Sequence, residues 1–256
     1  ALITIQGFIS QFKNGSKLSK DLHNRIITEE NILSSFTYYC GEQDSSTYIA
    51  NYNPNHKFFR LYFPINEKLA KETILTEKKY DCIYFGALTK VKGAEDFIKA
   101  ISVIKKTIPN VTACLIGNGD IEYWEAFAKQ FGCESNIEFT GFVETQKELF
   151  KYVKASRVFL APPYKERLSS TIREAMLLKV PIVAYATGGI PYINEFDENI
   201  FMVKTGDYKL MAEKTLLLLQ NEKLATDLAE KAYKYAKNEY SLEVNMKRLL
   251  DAYHTI

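Results

Sequence analysis

The stretch "VFLAPPYKERLSSTIREAMLLKVPIVAYATGG", residues 158–189, decides the fold. It opens on an apolar run, Val158 to Ala161, and closes on another, Val180 to Ala184. The segment between them reads as a loop followed by a helix. Two strands joined through a helix run parallel, because the crossover replaces a hairpin turn. Neither apolar run alternates with polar residues, so both faces of each strand are expected to be covered. Pro162 and Pro163 stiffen the exit from the first strand. Ser169 and Ser170 are good N-caps for the helix. The stretch also carries two glutamates, Glu166 and Glu174, with seven residues between them. Glu166 falls in the loop, and Glu174 about one turn into the helix.

The same alternation extends outward from this unit. From Tyr80 onward, "DCIYFGAL", "VTACLIGNG", "IEFTG", "VFLAPP", "PIVAYATGG" and "NIFMV" read as strands. "KGAEDFIKAISVIKKT", with Phe97, Ile98, Ile101 and Ile104 inward, "DIEYWEAFAKQFG" and "TQKELFKYVKAS" read as the helices between them. "IPYINEF" reads as a short helix or turn, and three helical segments close the chain. Apolar strands each followed by a helix predict an α/β fold, a Rossmann-like doubly wound parallel sheet. Residues 1–66 read more loosely as a partial amino-terminal α/β domain. Its elements are the strands "LITIQG", "FTYYCG" and "KFFRLYFP". Between them lie a helix with Leu22, Ile26, Ile32 and Leu33 at helical spacing and a second helix over "EQDSSTYIANYN". Residues 67–79 are charged, lack a clear period and read as a linker. The expected division is therefore 1–66, a linker at 67–79, a main domain at 80–240 and a terminal helix at 241–256. The opening "ALITIQG" looks like the middle of a domain, which predicts that the chain is a piece of something longer.

Composition sets limits on function. The chain has 256 residues, 46% hydrophobic and 25% charged, enough for a sizeable core. A net charge of +2 gives no electrostatic footprint for nucleic acid. Four cysteines, Cys40, Cys82, Cys114 and Cys133, fall at no metal-ligand spacing and read as reduced, buried thiols of a cytosolic protein. With three histidines and no H-E-x-x-H pattern, no metal site is expected. No apolar run is long enough for a membrane span.

Ligands of doubly wound sheets bind beyond the carboxyl ends of the strands, so the loops there carry the chemistry. "GALTKVKG", Gly86 to Gly93, sets backbone N–H groups and Lys92 at a helix entrance, where a phosphate is favoured; a flexible basic turn fits the same residues. "IGNGD" lacks the third glycine of a dinucleotide fingerprint, with Glu122 in its place, and reads as a turn capped by Asp120. In "FTGFVE", Gly141 exposes backbone beside Phe142, which a flat base or a plain turn would equally use. Ionised Glu166 and Glu174 can each accept hydrogen bonds from a vicinal diol such as a ribose or hexose offers. An ordinary surface glutamate and an ordinary helix glutamate would look the same.

In order along the chain, "FGALTKVKG", "LIGNGD", "IEFTGFVE", "VFLAPPYKERLSSTIREAM" and "VPIVAYATGGIP" resemble the carboxyl-terminal domain of retaining glycosyltransferases of family 4, also called group 1, with the GT-B architecture. The resemblance covers about Asp81 to Tyr240 and includes the E-x(7)-E pair at Glu166 and Glu174. It implies a nucleotide diphosphate sugar, UDP- or GDP-linked, as substrate, with no cofactor and no metal. It implies catalytic roles for Glu166, at the donor hexose, and Lys92, at the diphosphate. Donor contacts are implied at Gly86, Ala87, Lys92, Gly141, Phe142, Val143, Glu166, Arg167, Leu168, Ser169, Ser170 and Glu174. Glu174 would hold the ribose, the backbone around Phe142 and Val143 the base, and the helix entrance near Ser169, Ser170 and Thr171 the phosphates. The last helix would cross back towards the amino-terminal domain. The acceptor would be a glycan or a lipid-linked glycan, in glycan or polysaccharide biosynthesis. The expected setting is the cytoplasm, with peripheral contact at the inner face of the membrane open.

Three departures from the family pattern stand out. Ala87 replaces a frequent arginine, which leaves the diphosphate one cation short unless Arg167 or Arg173 substitutes. "RLS" replaces the usual "G-F-G" after the first glutamate, and Tyr192 a frequent glutamate. Two further readings remain open: a donor-binding module inactive without a complete amino-terminal domain, and a glycosidase, which also uses two carboxylates.

Overall fold

The computed structural model describes residues 2–5, 20–41, 43–74, 77–167 and 169–256. They form two compact units, residues 1–64 with 239–256 and residues 65–238.

The smaller unit holds a parallel sheet of β1 (Leu2–Ile5), β2 (Tyr38–Gly41) and β3 (Lys57–Arg60), in that order. Helix α1 (Lys20–Ser35) precedes β2, and α2 (Gln43–Ile49) follows it. Leu33, Tyr39 and Ile49 make its small core, and the Tyr39 hydroxyl donates to the carbonyls of Ile32 and Leu33. Ile26 and Leu33 are buried, but Ile32 is exposed. Six residues after Ile26, it lies well around the helix from the inward face, which corrects the expectation for that residue. The unit also contains α10 (Leu242–Thr255), whose Asn245 side chain accepts from the Tyr62 amide at 2.7 Å.

The larger unit is a six-stranded parallel sheet. Its strands are β4 (Tyr80–Phe85), β5 (Ala113–Ile116), β6 (Ile137–Gly141), β7 (Ser156–Ala161), β8 (Ile182–Tyr185) and β9 (Phe201–Val203), in the order β6-β5-β4-β7-β8-β9. The helices are α4 (Ala94–Ile104), α5 (Ile121–Gln130), α6 (Gln146–Lys154), α7 (Ser170–Leu177), α8 (Tyr208–Gln220) and α9 (Glu222–Tyr240), the last ending at the boundary between the units. One sheet face packs Cys82, Leu115, Leu160 and Val183 against α4, α5 and α8. The alternate residues Ile83, Cys114, Phe159 and Ile182 are buried as well, which is why these strands lack polar alternation. Residues 67–79, expected as a linker, contain α3 (Glu67–Glu72), capped by Asn66 and grouped with the larger unit. Its carboxyl end is held by Lys154, whose ammonium donates to the carbonyls of Ala70 and Thr73. All four cysteines are buried, and none of them forms a disulfide.

Chain order reverses beside β4. The path moves outward through β5 and β6, then returns to the other side of β4 as β7 and continues through β8 and β9. The loops after β4 and β7 therefore diverge from one crevice, the site where such sheets bind ligands. Two glycines let backbones meet there. A Cβ on Gly93 (φ +83°) would lie 1.9 Å from the Pro162 carbonyl oxygen. One on Gly188 (φ +56°) would lie 1.5 Å from that of Glu166.

These contacts predict a graded series. Gly188→Ala and Gly93→Ala should each cost clearly more in denaturant unfolding than Gly132→Ala. Gly132 also has positive φ but has open space around it, so only the left-handed penalty of about 1–2 kcal/mol applies. Equal losses at all three positions would remove any steric role for the crevice glycines.

Candidate functional site

A cleft of about 410 Å3 opens beyond the carboxyl ends of β4 and β7, lined by Gly86, Ala87, Lys92, Glu166, Ser169, Ser170, Thr171 and Arg173 among others. Lys92 comes from the loop after β4, just before Gly93, which caps α4 in a left-handed conformation. Glu166 comes from the loop after β7. The Lys92 ammonium and Glu166 Oε2 lie 2.8 Å apart, although 74 residues separate them in sequence. Glu166 Oε1 accepts from the Arg167 amide at 3.1 Å. An ionised carboxylate has about four acceptor sites, so this one keeps capacity for a ligand's hydroxyl groups.

Ser169 occupies the N-cap position of α7, but its hydroxyl makes no cap hydrogen bond. It pairs instead with the Thr171 hydroxyl at 2.6 Å. The first amides of α7 therefore lack the usual side-chain acceptor and open on the cleft, where the helix dipole favours an anion. Arg173, buried at 6% exposure, lines the same cleft as Ala87. Of the two arginines considered as substitutes for a cation at position 87, Arg173 lines the cleft, whereas Arg167 contributes backbone: its carbonyl accepts from Gly189.

Glu174 stands apart from the Lys92–Glu166 pair and is held on the side of α6. Its Oε1 accepts from Gln146 Nε2 at 2.9 Å, which ties α7 to the first residue of α6. Burial raises the Glu174 pKa above the ordinary carboxylate range, against the opposing effects of the Gln146 hydrogen bond and the positive charge of Arg173. Gly141 ends β6 and Phe142 and Val143 follow it, on the far side of β5 from β4; none of the three is part of the Lys92–Glu166 cleft. Gly141 has φ +70°, and the Phe142 ring is 69% exposed. Leu168 lies outside the described residues.

Several lining residues escaped sequence reading. Tyr84, Phe85 and Phe159 belong to apolar runs that read only as core, yet they form the floor of the cleft. Tyr84 also shapes the loop after β4, its hydroxyl donating to the Ala87 carbonyl at 2.7 Å. Gln146 had a weak signal: it is a polar residue directly after the Thr145 cap, on the first turn behind a candidate ligand loop. Among the described residues no group of three or more His, Cys, Asp or Glu is placed to hold a metal ion. No helix there is long and apolar enough to cross a membrane.

Relatives and solved structures match the chain over different spans. The putative glycosyltransferase EpsD of Bacillus subtilis is 26% identical over 184 residues, which is 71% of this chain and 48% of that protein. The capsular polysaccharide biosynthesis glycosyltransferase CapM of Staphylococcus aureus is 25% identical over 173 residues, 67% of this chain and 45% of that protein. The matches thus span less than half the length of these relatives. Among solved structures, Anabaena Alr3699/HepE in complex with UDP superposes with a TM-score of 0.82 at 18% identity, over 100% of this chain and 72% of that one, and so shares the GT-B fold. The family model for "Glycosyl transferases group 1" matches residues 65–235, and the chain belongs to that family.

Proposed function

We propose that this chain is the donor-binding part of a retaining glycosyltransferase that takes a sugar from a nucleoside diphosphate in glycan or polysaccharide synthesis. The observation that carries the reading is the shared cleft. It holds a lysine, a buried arginine and open helix amides beside one carboxylate, Glu166; the second carboxylate, Glu174, lies one turn further along the same helix and does not line it. Cations and amides suit a diphosphate, and carboxylates suit sugar hydroxyls.

In this reading the Lys92–Glu166 ion pair is the resting arrangement. The diphosphate takes Lys92, and the donor hexose takes the acceptor capacity of Glu166. As the bond from the anomeric carbon to the phosphate oxygen breaks, negative charge grows on the diphosphate and positive charge on the sugar ring. Lys92, Arg173 and the first amides of α7 stabilise the former, the main electrostatic task of the step. The acceptor hydroxyl approaches the face the diphosphate leaves, bonds to the anomeric carbon and passes its proton to the departing phosphate oxygen, so configuration is retained. Glu174 grips the ribose, oriented by Gln146, and the backbone near Phe142 and Val143 reads the base. HepE, solved with UDP, makes UDP the first donor nucleotide to test, with GDP the second. A second reading is a donor-binding module without transfer activity.

Calorimetric titration of UDP and GDP tests both readings. Binding of one of them is expected, and binding of neither defeats the nucleotide site. Glu174→Ala should weaken that binding by about 1–3 kcal/mol, the range for hydrogen bonds to a charged group.

Burial raises the Glu174 pKa, so its proton returns before that of an exposed glutamate as pH falls. Protonation removes charged acceptors from the ribose. Nucleotide affinity should therefore begin to fall at a pH above the ordinary carboxylate value of about 4.3, and Glu174→Gln should remove that dependence.

Where the full-length enzyme turns over donor, Lys92→Ala should lower kcat about 10²–10³-fold. Turnover should also persist with a chelator present; strict dependence on Mn²⁺ or Mg²⁺ would contradict the mechanism.

A further inference from the structure

Behind the cleft lies a buried carboxylate that neither the donor contacts nor the core explains. Asp96, in the first turn of α4, is 2% exposed. Its Oδ2 accepts from two tyrosine hydroxyls, Tyr164 at 2.6 Å and Tyr185 at 2.7 Å. Lys99 balances it at Oδ1, 3.1 Å away. The two tyrosines come from different parts of the sheet's carboxyl edge, whereas Lys99 lies on the next turn of α4 itself. Tyr164 lies on the loop after β7, two residues before Glu166, and Tyr185 ends β8. The two rings meet edge to face, with centroids 5.8 Å apart.

Tyr164 is held at both ends. Its ring is partly exposed, while its hydroxyl reaches inward to Asp96. Its backbone amide donates to the Val91 carbonyl at 2.8 Å, one residue from Lys92. One residue thus joins the loop of Glu166 to the loop of Lys92 by main chain and to α4 by side chain. Hydrogen bonds to a buried, ionised acceptor are about twice as strong as neutral ones and strictly directional. The bond to Asp96 pushes the Tyr164 hydroxyl pKa up to about 12, so the proton stays on the donor at working pH.

We propose that Asp96 is a positioning residue for the cleft, acting through Tyr164 to hold Glu166 in register with Lys92. Tyr185 shares the carboxylate but lies on β8, already fixed by its strand neighbours, so its hydroxyl serves stability and not register. The consequence for donor binding rests on the function proposed above; the consequence for the ion pair does not.

The test compares Tyr164→Phe with Tyr185→Phe. Each removes one hydroxyl from the same carboxylate oxygen and keeps the ring. Side-chain ammonium 15N NMR, with the Lys92 signal assigned by its loss in Lys92→Arg, reports the Lys92–Glu166 pair directly. Tyr164→Phe should raise the ammonium exchange rate about tenfold or more, as expected when a charged hydrogen bond is released. Tyr185→Phe should leave it unchanged while lowering the thermal midpoint about as much as Tyr164→Phe does. Asp96→Asn, which keeps an uncharged acceptor, should fall between wild type and Tyr164→Phe and keeps the test alive if another variant fails to fold. Equal exchange in Tyr164→Phe and Tyr185→Phe, or wild-type exchange in Tyr164→Phe and Asp96→Asn, overturns the positioning role. UDP titration of the same variants should show a weaker Kd for Tyr164→Phe only. A wild-type chain that binds neither UDP nor GDP defeats the donor site, and the ammonium exchange still decides the role of Asp96.

Discussion

The parallel pairing of β4 with β7 is the constraint on which the rest depends. Cys82 lies opposite Val158, and Ile83 opposite Phe159. Because chain order reverses at this pair, the helices that follow β4 and β7 leave towards opposite faces of the sheet. The loops between strand and helix then splay apart and enclose a crevice. Any other partner for β4 would remove Glu166 from the reach of Lys92. The apolar side chains of both strands hold the pairing in place: Ile83, Val158, Phe159 and Leu160 are all essentially inaccessible to water. Burial of this kind stabilises by about 25 cal/mol per Å2, so the geometry of a polar cleft is set by the apolar layers beneath it.

In the cleft and around it, charged groups are each met by a partner. Lys92 has Glu166, Asp96 has Lys99 and two hydroxyls, and Glu174 has the Gln146 amide. An isolated charge at such depth would be expensive, and pairing makes it tolerable. In the function proposed above the pair is exchangeable: a ligand's phosphate would replace Glu166 at Lys92, and its hydroxyl groups would take up the acceptor sites of Glu166. This distinguishes Lys92–Glu166, which faces the cleft, from Asp96, whose partners are all internal to the unit.

Much of the architecture was legible because strand and helix periods are local properties. The run Val158–Gly189 announces strand, loop, helix and strand by composition alone. The inward residues Phe97, Ile98, Ile101 and Ile104 of α4 are fully buried, as their spacing implies. What depends on distant partners was not legible. Asp96 reads as an ordinary acidic residue of a first helical turn, and only Tyr164 and Tyr185, 68 and 89 residues away, give it a purpose. Gln146 reads as a surface residue until α7 brings Glu174 beside it. Ser169 reads as a cap, but Thr171 captures its hydroxyl. In residues 67–79 the charged composition hides α3, whose carboxyl end is held from outside by Lys154 and not by any periodicity of its own.

The four enclosed thiols have a practical consequence. Desolvation pushes Cys114 up to about 12 and Cys133 up to about 11, and moves Cys82 in the same direction. Cys40 is sequestered as well. Reactivity towards alkylating and maleimide reagents follows the thiolate and its accessibility, so the native side chains present little background. One cysteine introduced on an outer helical surface of each unit therefore takes up a fluorophore or spin label selectively, and distance measurements between the two units become possible without first stripping the molecule of its own sulfur.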